Sequence, residues 1–179
     1  EVWLAPTAAR SACGRRLTLV PGLRLRPLWA GHEAAWRGWR FEVLNPLAGG
    51  RGGNEQSLVM RAASRGHSLL LTGDIGHRTE FAILQRAAPG GLRSDLLKVG
   101  HHGSATSSSL SFVAAVDPAL ALVSAGRNNP FGHPAPRVLE RFAALGVPLL
   151  RTDLSGQIEV SWSAGSPLAV AMSGPAGSP

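Results

Sequence analysis

Twice in this chain an apolar, strand-like run stops abruptly in polar residues: Leu-Thr-Gly-Asp at Leu71 to Asp74, and Lys-Val-Gly-His-His-Gly-Ser at Lys98 to Ser104. Short apolar runs that alternate with stretches of helical periodicity are read as strands in a sheet shielded by helices. A carboxylate and two imidazoles are thereby expected on loops at one edge of one sheet, where loops of such folds carry function.

The surrounding pattern supports that frame. Arg16 to Val20 and Leu23 to Trp29, separated by Pro21-Gly22, read as short strands, and Trp39 to Leu44 as a strand ended by Asn45-Pro46. Gly49 to Gly53 reads as a flexible loop. Ser57 to Ala63 and His67 to Thr72 flank Ser64-Arg65-Gly66 as a hairpin. Helices are predicted over Arg78 to Ala88, from an N-cap at Ser109 through Val116, and over Arg137 to Leu145, where Gly146 supplies the left-handed residue that ends it. Strands are predicted at Asp95 to Val99, Ala119 to Ser124, Val147 to Arg151 and Gln157 to Trp162. The expected class is α/β, with one domain over 1–163 and a flexible Ser/Gly/Pro/Ala-rich tail over 164–179.

Composition narrows the chemistry. The longest apolar stretch, Phe112 to Ala125, is broken by Asp117-Pro118 and is too short to cross a bilayer. Cys13 is the only cysteine, which excludes an internal disulfide and a Cys-based zinc knuckle. The net charge of +7 and pI of about 11.5 favour a polyanion such as nucleic acid, although 17 Arg against one Lys is also what a GC-rich coding bias produces. The start, Glu1-Val2-Trp3-Leu4, has no initiator Met and no signal-peptide pattern, and is expected to mark a fragment or a processed product.

Asp74 reads either as an N-cap for the following helix or as a carboxylate able to bridge two divalent cations. Of the adjacent His101 and His102, one can ligate a metal while the other hydrogen-bonds a substrate oxygen or acts as a general acid; a solvated loop is the plainer alternative. Gly103-Ser104 offers backbone N–H groups and a hydroxyl as an anion cradle, and Lys98 a substrate-directed cation. A third loop, Ser124 to Pro134, carries Arg127 and Asn128 for phosphate contact and His133 to orient or protonate a leaving oxygen, or is simply a turn-rich connection. Asn54 and Ser57 begin the strand before the hairpin and read equally as its caps.

Five motifs in order, Asn-Glu-Gln-Ser-Leu-Val from Asn54, Leu-Leu-Thr-Gly-Asp to Asp74, Asp-Leu-Leu-Lys-Val-Gly-His-His-Gly-Ser from Asp95, Gly-Arg-Asn-Asn-Pro-Phe-Gly-His-Pro from Gly126 and Arg-Thr-Asp-Leu-Ser-Gly from Arg151, resemble the C-terminal metallo-β-lactamase-like domain of ComEC-family DNA internalisation (competence) proteins. The resemblance covers about residues 54 to 162. It implies an αββα sandwich and a dinuclear zinc or manganese centre. In that centre Asp74 would bridge, His102 would ligate the second metal, His101 would face the substrate, and Asn54 would stand where many relatives place a ligand histidine. The adjacent His101 and His102 can exchange those roles. It further implies a domain that hydrolyses DNA, single-stranded as it is processed, beside a membrane channel formed by another part of the same multi-pass polypeptide, with the domain outside the cytoplasm.

The departure from the family is equally specific. Its His-x-Asp-x-Asp-His motif is missing from Glu1 to Gly53, where the lone His32 stands in Gly-His-Glu. The chain is therefore expected to hold the second half of the domain only, and two protein donors do not satisfy a four- or five-coordinate metal. Three functions follow: a metal-dependent nuclease half-site, a catalytically incomplete DNA-binding fragment, or a hydrolase of phosphocholine-esterase type on the same scaffold.

Overall fold

In a computed structural model that describes residues 1–47 and 52–174, the chain order is β1 (Val2–Leu4), α1 (Pro6–Ala9), α2 (Ala12–Leu17), β2 (Leu25–Pro27), β3 (Glu33–Trp36), β4 (Trp39–Asn45), β5 (Val59–Ser64) and β6 (His67–Leu71). It continues with α3 (His77–Leu84), β7 (Leu96–Lys98), α4 (Leu110–Val116), β8 (Leu120–Val123), α5 (Pro136–Ala144), β9 (Leu149–Arg151), α6 (Thr152–Ser155), β10 (Gln157–Ser161) and β11 (Ala169–Ser173). Strands β3 to β9 lie in sequence order in one mixed sheet of seven, antiparallel from β3 to β6 and parallel from β6 to β9; β1–β2 and β10–β11 form two small sheets.

The parallel half places the functional loops. Helices α3, α4 and α5 each return the chain to the same end of the sheet, so the segments after β6, β7 and β8 emerge together. One sheet face meets these helices: Val59, Leu70, Leu97, Ala121 and Val123 pack with Ile83, Phe112, Val113, Val116, Val138 and Phe142 in a single core. Each such fully buried large side chain contributes about 1.5–3 kcal/mol. On the other face the register aligns Met60, Leu71, Lys98, Leu122 and Leu150, and these stay only half-buried. The β10 strand covers part of that face, where Ile158, Val160 and Trp162 share a cavity of about 540 Å³ with Leu69, Leu96 and Leu122.

Several expectations need correction. Arg16 to Val20 is not a strand, because Ser11 caps a helix there, its hydroxyl accepting from the Gly14 N–H at 3.0 Å. Gly14 is needed at that point, since a Cβ would sit 2.3 Å from the Ala8 carbonyl oxygen. Asn54 and Ser57 do not begin a strand; Asn54–Gln56 is a 3-10 turn, and β5 starts at Val59. Ser109 occupies the N-cap position of α4 without a side-chain cap bond. Residues 169–173, expected in a flexible tail, pair antiparallel with β10 from Gln157↔Ser173 to Ser161↔Ala169. The last five residues of that tail, and 48–51 of the expected glycine loop, lie outside the described residues.

Candidate functional site

The loop after β6 is folded by a close backbone approach. Gly73 has φ +55, and a Cβ there would lie 2.7 Å from the Ser57 Cβ, so only glycine lets the segment pass. The Ser57 hydroxyl then accepts from the Asp74 N–H at 3.1 Å. Asp74 is not a helix cap: the N-cap of α3 is Gly76, and the Glu55 carboxylate accepts the Thr79 N–H at 3.1 Å and the Thr79 hydroxyl. Its carboxylate is thus left for other partners.

The loop after β7 is knitted to this one. The Thr72 hydroxyl donates to the Lys98 carbonyl at 2.6 Å, and the His101 N–H donates to the Gly73 carbonyl at 3.0 Å. His101 and His102 both take the left-handed conformation, φ 48 and 54, which is costly for non-glycine residues and turns the two imidazoles in different directions. The His102 Nδ1 lies 2.7 Å from the Ser124 carbonyl oxygen at the end of β8. A carbonyl only accepts, so Nδ1 carries the proton, and a neutral His102 presents the Nε2 lone pair. That Nε2 stands 3.6 Å from Asp74 Oδ1. His101 Nε2 instead meets the Asn54 amide nitrogen at 3.2 Å.

The loop after β8 closes the third side. Gly103, at φ +83, admits Pro134 so closely that a Cβ would overlap the Pro134 Cβ at 2.5 Å, and the Ala135 N–H donates to the Gly103 carbonyl at 2.8 Å. This docking brings the His133 ring to 6.0 Å from that of His101. His133 Nδ1 is buried with no hydrogen-bond partner among the described residues. Burial, reinforced by His101 and His102, holds the His133 pKa below the usual histidine value.

The other expected residues are placed differently. Lys98 is half-buried, and its ammonium donates to the Val99 carbonyl at 2.8 Å. Burial lowers its pKa, while the Asp74 charge opposes the shift. Ser104 is buried, its hydroxyl 3.1 Å from that of Thr106. Arg127 and Asn128 are exposed on the loop's outer part. The residue that shapes that loop is the neighbouring Asn129: its amide donates to the Gly126 and His133 carbonyls at 3.0 and 2.7 Å and accepts from the His133 N–H at 2.9 Å. Asp74, His101, His102, His133 and Asn54 therefore form one cluster. A cleft of about 570 Å³, lined by Thr7, Asn54, Ser57 and Asp74 among others, opens beside it.

Comparison with known proteins matches this chain to a segment of much longer proteins. The chain is 42% identical over 125 residues to Competence protein ComA of Neisseria gonorrhoeae, covering 69% of this chain and 18% of that protein. It is 34% identical over 139 residues to ComE operon protein 3 of Bacillus subtilis, covering 77% and 18%, and 34% identical over 134 residues to Recombination protein 2 of Haemophilus influenzae, covering 74% and 16%. The chain belongs to the ComEC family of competence proteins. No family model matches it. The chain spans under a fifth of the length of these relatives.

The donor set of this ComEC-family segment can be set against the dinuclear centre that the resemblance implies. Asp74 Oδ1 and His102 Nε2 are close enough to touch one cation, but among the described residues no group of three or more His, Cys, Asp or Glu side chains could hold a metal. Zinc and manganese need four or more ligands. The residues present do not fit such a centre by themselves.

Sequence reasoning missed the residues that hold the segment's loops in place. Glu80, 1% exposed, accepts the N–H groups of Ser108 and Ser109, the latter at 2.8 Å. Arg141 on α5 donates to the Ser107 and Ser108 carbonyls at 2.7 and 3.2 Å. Thr152 accepts from the Ala125 N–H and donates to the Ala125 carbonyl, at 2.9 and 2.8 Å. The one available signal was a Glu inside an amphipathic helix, which pattern alone assigns to the solvent face.

Proposed function

We propose that this chain is the second half of a metallo-β-lactamase-like hydrolase domain that cleaves DNA phosphodiesters during natural transformation. The observation that carries the reading is the approach of Asp74 Oδ1 to His102 Nε2, 3.6 Å, on two loops knitted to each other, with His102 locked by Ser124 in the tautomer that offers Nε2. The sheet supports the fold assignment. Helices α3, α4 and α5 pack on one face, and the half-buried apolar face of Met60, Leu71, Leu122 and Leu150 is of the kind a second sheet covers in an αββα sandwich.

In the proposed site a water oxygen bonds to the phosphorus of a DNA phosphate beside the Asp74–His102 pair as the bond to the departing oxygen breaks, and a cation that the pair would help to hold would offset the charges of carboxylate and phosphate. His101, whose Nε2 accepts from the Asn54 amide, faces the substrate and supplies the proton on Nδ1 to the departing oxygen, and His133 borders the same space. The donors that two side chains do not supply come from elsewhere in the longer protein, where one zinc or manganese pair per site is expected. Arg127, Asn128 and Lys98 are proposed to serve the phosphate backbone, Arg127 and Asn128 from the exposed loop and Lys98 through its field, while Ser104, expected to contact the phosphate, is buried against Thr106 and shapes the loop instead. The partners are single-stranded DNA and the membrane channel of the same polypeptide, with the domain outside the cytoplasm. Among the described residues no helix is long and apolar enough to cross a membrane.

The shortage of donors favours one second reading, a segment that binds DNA without cleaving it. Single-strand hydrolysis by the longer protein containing this chain, with manganese or zinc supplied, separates the two. Asp74→Ala and His102→Ala each reduce cleavage to a small residual rate under the hydrolase reading. Cleavage undiminished by both substitutions leaves only the binding segment.

A further inference from the structure

We infer that the end of the sheet opposite Asp74 is a docking surface for single-stranded nucleic acid, built on the indole of Trp36 and the guanidiniums of the two turn arginines, Arg37 and Arg65. Two hairpin turns lie side by side there. Arg37-Gly38 joins β3 to β4 and Arg65-Gly66 joins β5 to β6, and the pairing Arg40↔Ala63 makes the two tips neighbours. Both turns have positive φ at both positions, 48 and 82 in one, 53 and 86 in the other. Asn or Gly is the usual first residue of such a turn; here each carries an arginine in a conformation that costs it energy. Local turn chemistry gives no reason for that choice, whereas display of two cations at one edge does.

Trp36 is 61% exposed, a large indole left in solvent, and the Arg37 guanidinium lies 5.0 Å from its ring centre. Arg37 and Arg65 are exposed too, and both line one cavity of about 540 Å³ with Trp39 and Trp162, on the face that carries Trp36, whereas Arg40 and Arg61 lie on the opposite, helix-covered face. Of the two carboxylates that line the Trp36 cavity, Glu1 is taken up by the Trp3 N–H at 2.7 Å and by Arg26 at 3.6 Å, and the other is Glu33. Asp95 is taken up by the N–H and hydroxyl of Ser68 at 2.7 and 2.9 Å and faces His67 at 3.5 Å. Glu42 and Glu33 lie across the ladder from Arg61 toward the far end of β3. Trp39 and Trp162 pack edge to face at 5.5 Å, and the Trp162 N–H donates to the Ser64 carbonyl at 3.0 Å, so both tips rest on a fixed base.

A flat ring beside two turn arginines matches a polymer with alternating phosphates and exposed bases. Bases stack on the indole and phosphates pair with the guanidiniums, which duplex DNA with its bases stacked inside does not permit. A lipid surface fits less well, because a single exposed indole offers little apolar area to insert. Strand β6 separates this edge from the Asp74 loop, and its five residues span about 17 Å, a distance a short stretch of single strand bridges. The inference rests on DNA being the polymer handled, but its readout is binding, so it can fail while cleavage stands, and the reverse.

The test is fluorescence anisotropy of the full chain with a fluorescein-labelled oligothymidylate about 20 nucleotides long, long enough to span the surface. Trp36→Ala weakens binding about tenfold and Trp36→Phe restores most of it, because the loss is one of base stacking. Arg37→Glu with Arg65→Glu weakens binding further and lowers the salt slope by about 1.4, two phosphate contacts at about 0.7 each. The control Arg16→Glu with Arg137→Glu changes net charge equally at exposed sites away from this edge and leaves affinity within about twofold. Circular dichroism confirms that each variant is folded. The inference is overturned if the control loses as much as the paired edge variant, if Trp36→Ala binds like the parent chain, or if Trp36→Ala loses binding to phosphatidylglycerol vesicles while keeping its affinity for the oligonucleotide.

Discussion

Glu80→Ala tests how the site loops are held. The Glu80 side chain, 1% exposed, spans from α3 to the start of α4 and takes two backbone N–H groups, those of Ser108 and Ser109. Ser108 has φ +56, a strained residue that persists only because its surroundings fix it. Arg141 holds the carbonyls of Ser107 and Ser108 from α5, so the peptide behind the His101–His102 loop is gripped on its N–H side and its C=O side by two different helices. Removing the carboxylate leaves two N–H groups without acceptors at about 1–3 kcal/mol each, and a small cavity besides; the sum is about 3–5 kcal/mol, given that Ser109 is only part-buried. For a chain of this size that is roughly 6–20 °C in Tm. Glu80→Gln keeps the shape and one acceptor and costs about half as much. Urea unfolding of the three proteins measures the differences. A loss below about 1 kcal/mol for Glu80→Ala, or equal losses for Gln and Ala, refutes the view that the two accepted bonds carry this junction.

Three further outcomes follow from the same geometry. Gly103→Ala drives a Cβ into Pro134 at 2.5 Å and forces an alanine to φ +83, so it destabilises by about 1–3 kcal/mol in urea unfolding, and NMR shifts move in both His101 and His133. Ser57→Ala removes the acceptor of the Asp74 N–H and costs about 1 kcal/mol, with proposed DNA cleavage falling more than stability because Asp74 loses its anchor. Asp153 has its pKa lowered chiefly by the Arg151 hydrogen bonds, with burial opposing. The unfolded chain therefore holds more protons in acid, and the stabilisation, about 1 kcal/mol, is complete above the unfolded value of about 3.9 and is lost as pH falls through the lower folded value. Asp153→Asn accordingly lowers Tm at neutral pH and flattens its decline in acid.

The parallel half of the sheet and helices α3 to α5 were legible because each pairs a short apolar run with one periodic stretch, a pattern set by burial alone. The positions of Asp74 and the two histidines at strand ends followed from the same reading. The first 50 residues were harder. Arg16 to Val20 has the composition of a strand, and only the Ser11 cap and the tight passage at Gly14 make that segment helical, which are tertiary facts. The strand at 169–173 was hidden by its Ser/Gly/Pro/Ala-rich context, since its order comes from pairing with β10 rather than from propensity. Within the site, the functional types were visible, but the residues that orient them were not. Ser124 acts on His102 through a carbonyl, a group every residue has, and Glu80 is buried in a helix whose apolar periodicity gives no sign of an inward carboxylate.

The account depends on Asp74 and His102 forming one functional unit. The most direct measurement is a double-mutant cycle on single-strand cleavage by the longer protein that contains this chain, comparing Asp74→Ala, His102→Ala and the pair. Residues that act together lose their effect together, so the double variant is predicted to be no slower than the slower single variant. Losses that multiply, each substitution contributing independently, would contradict a shared site.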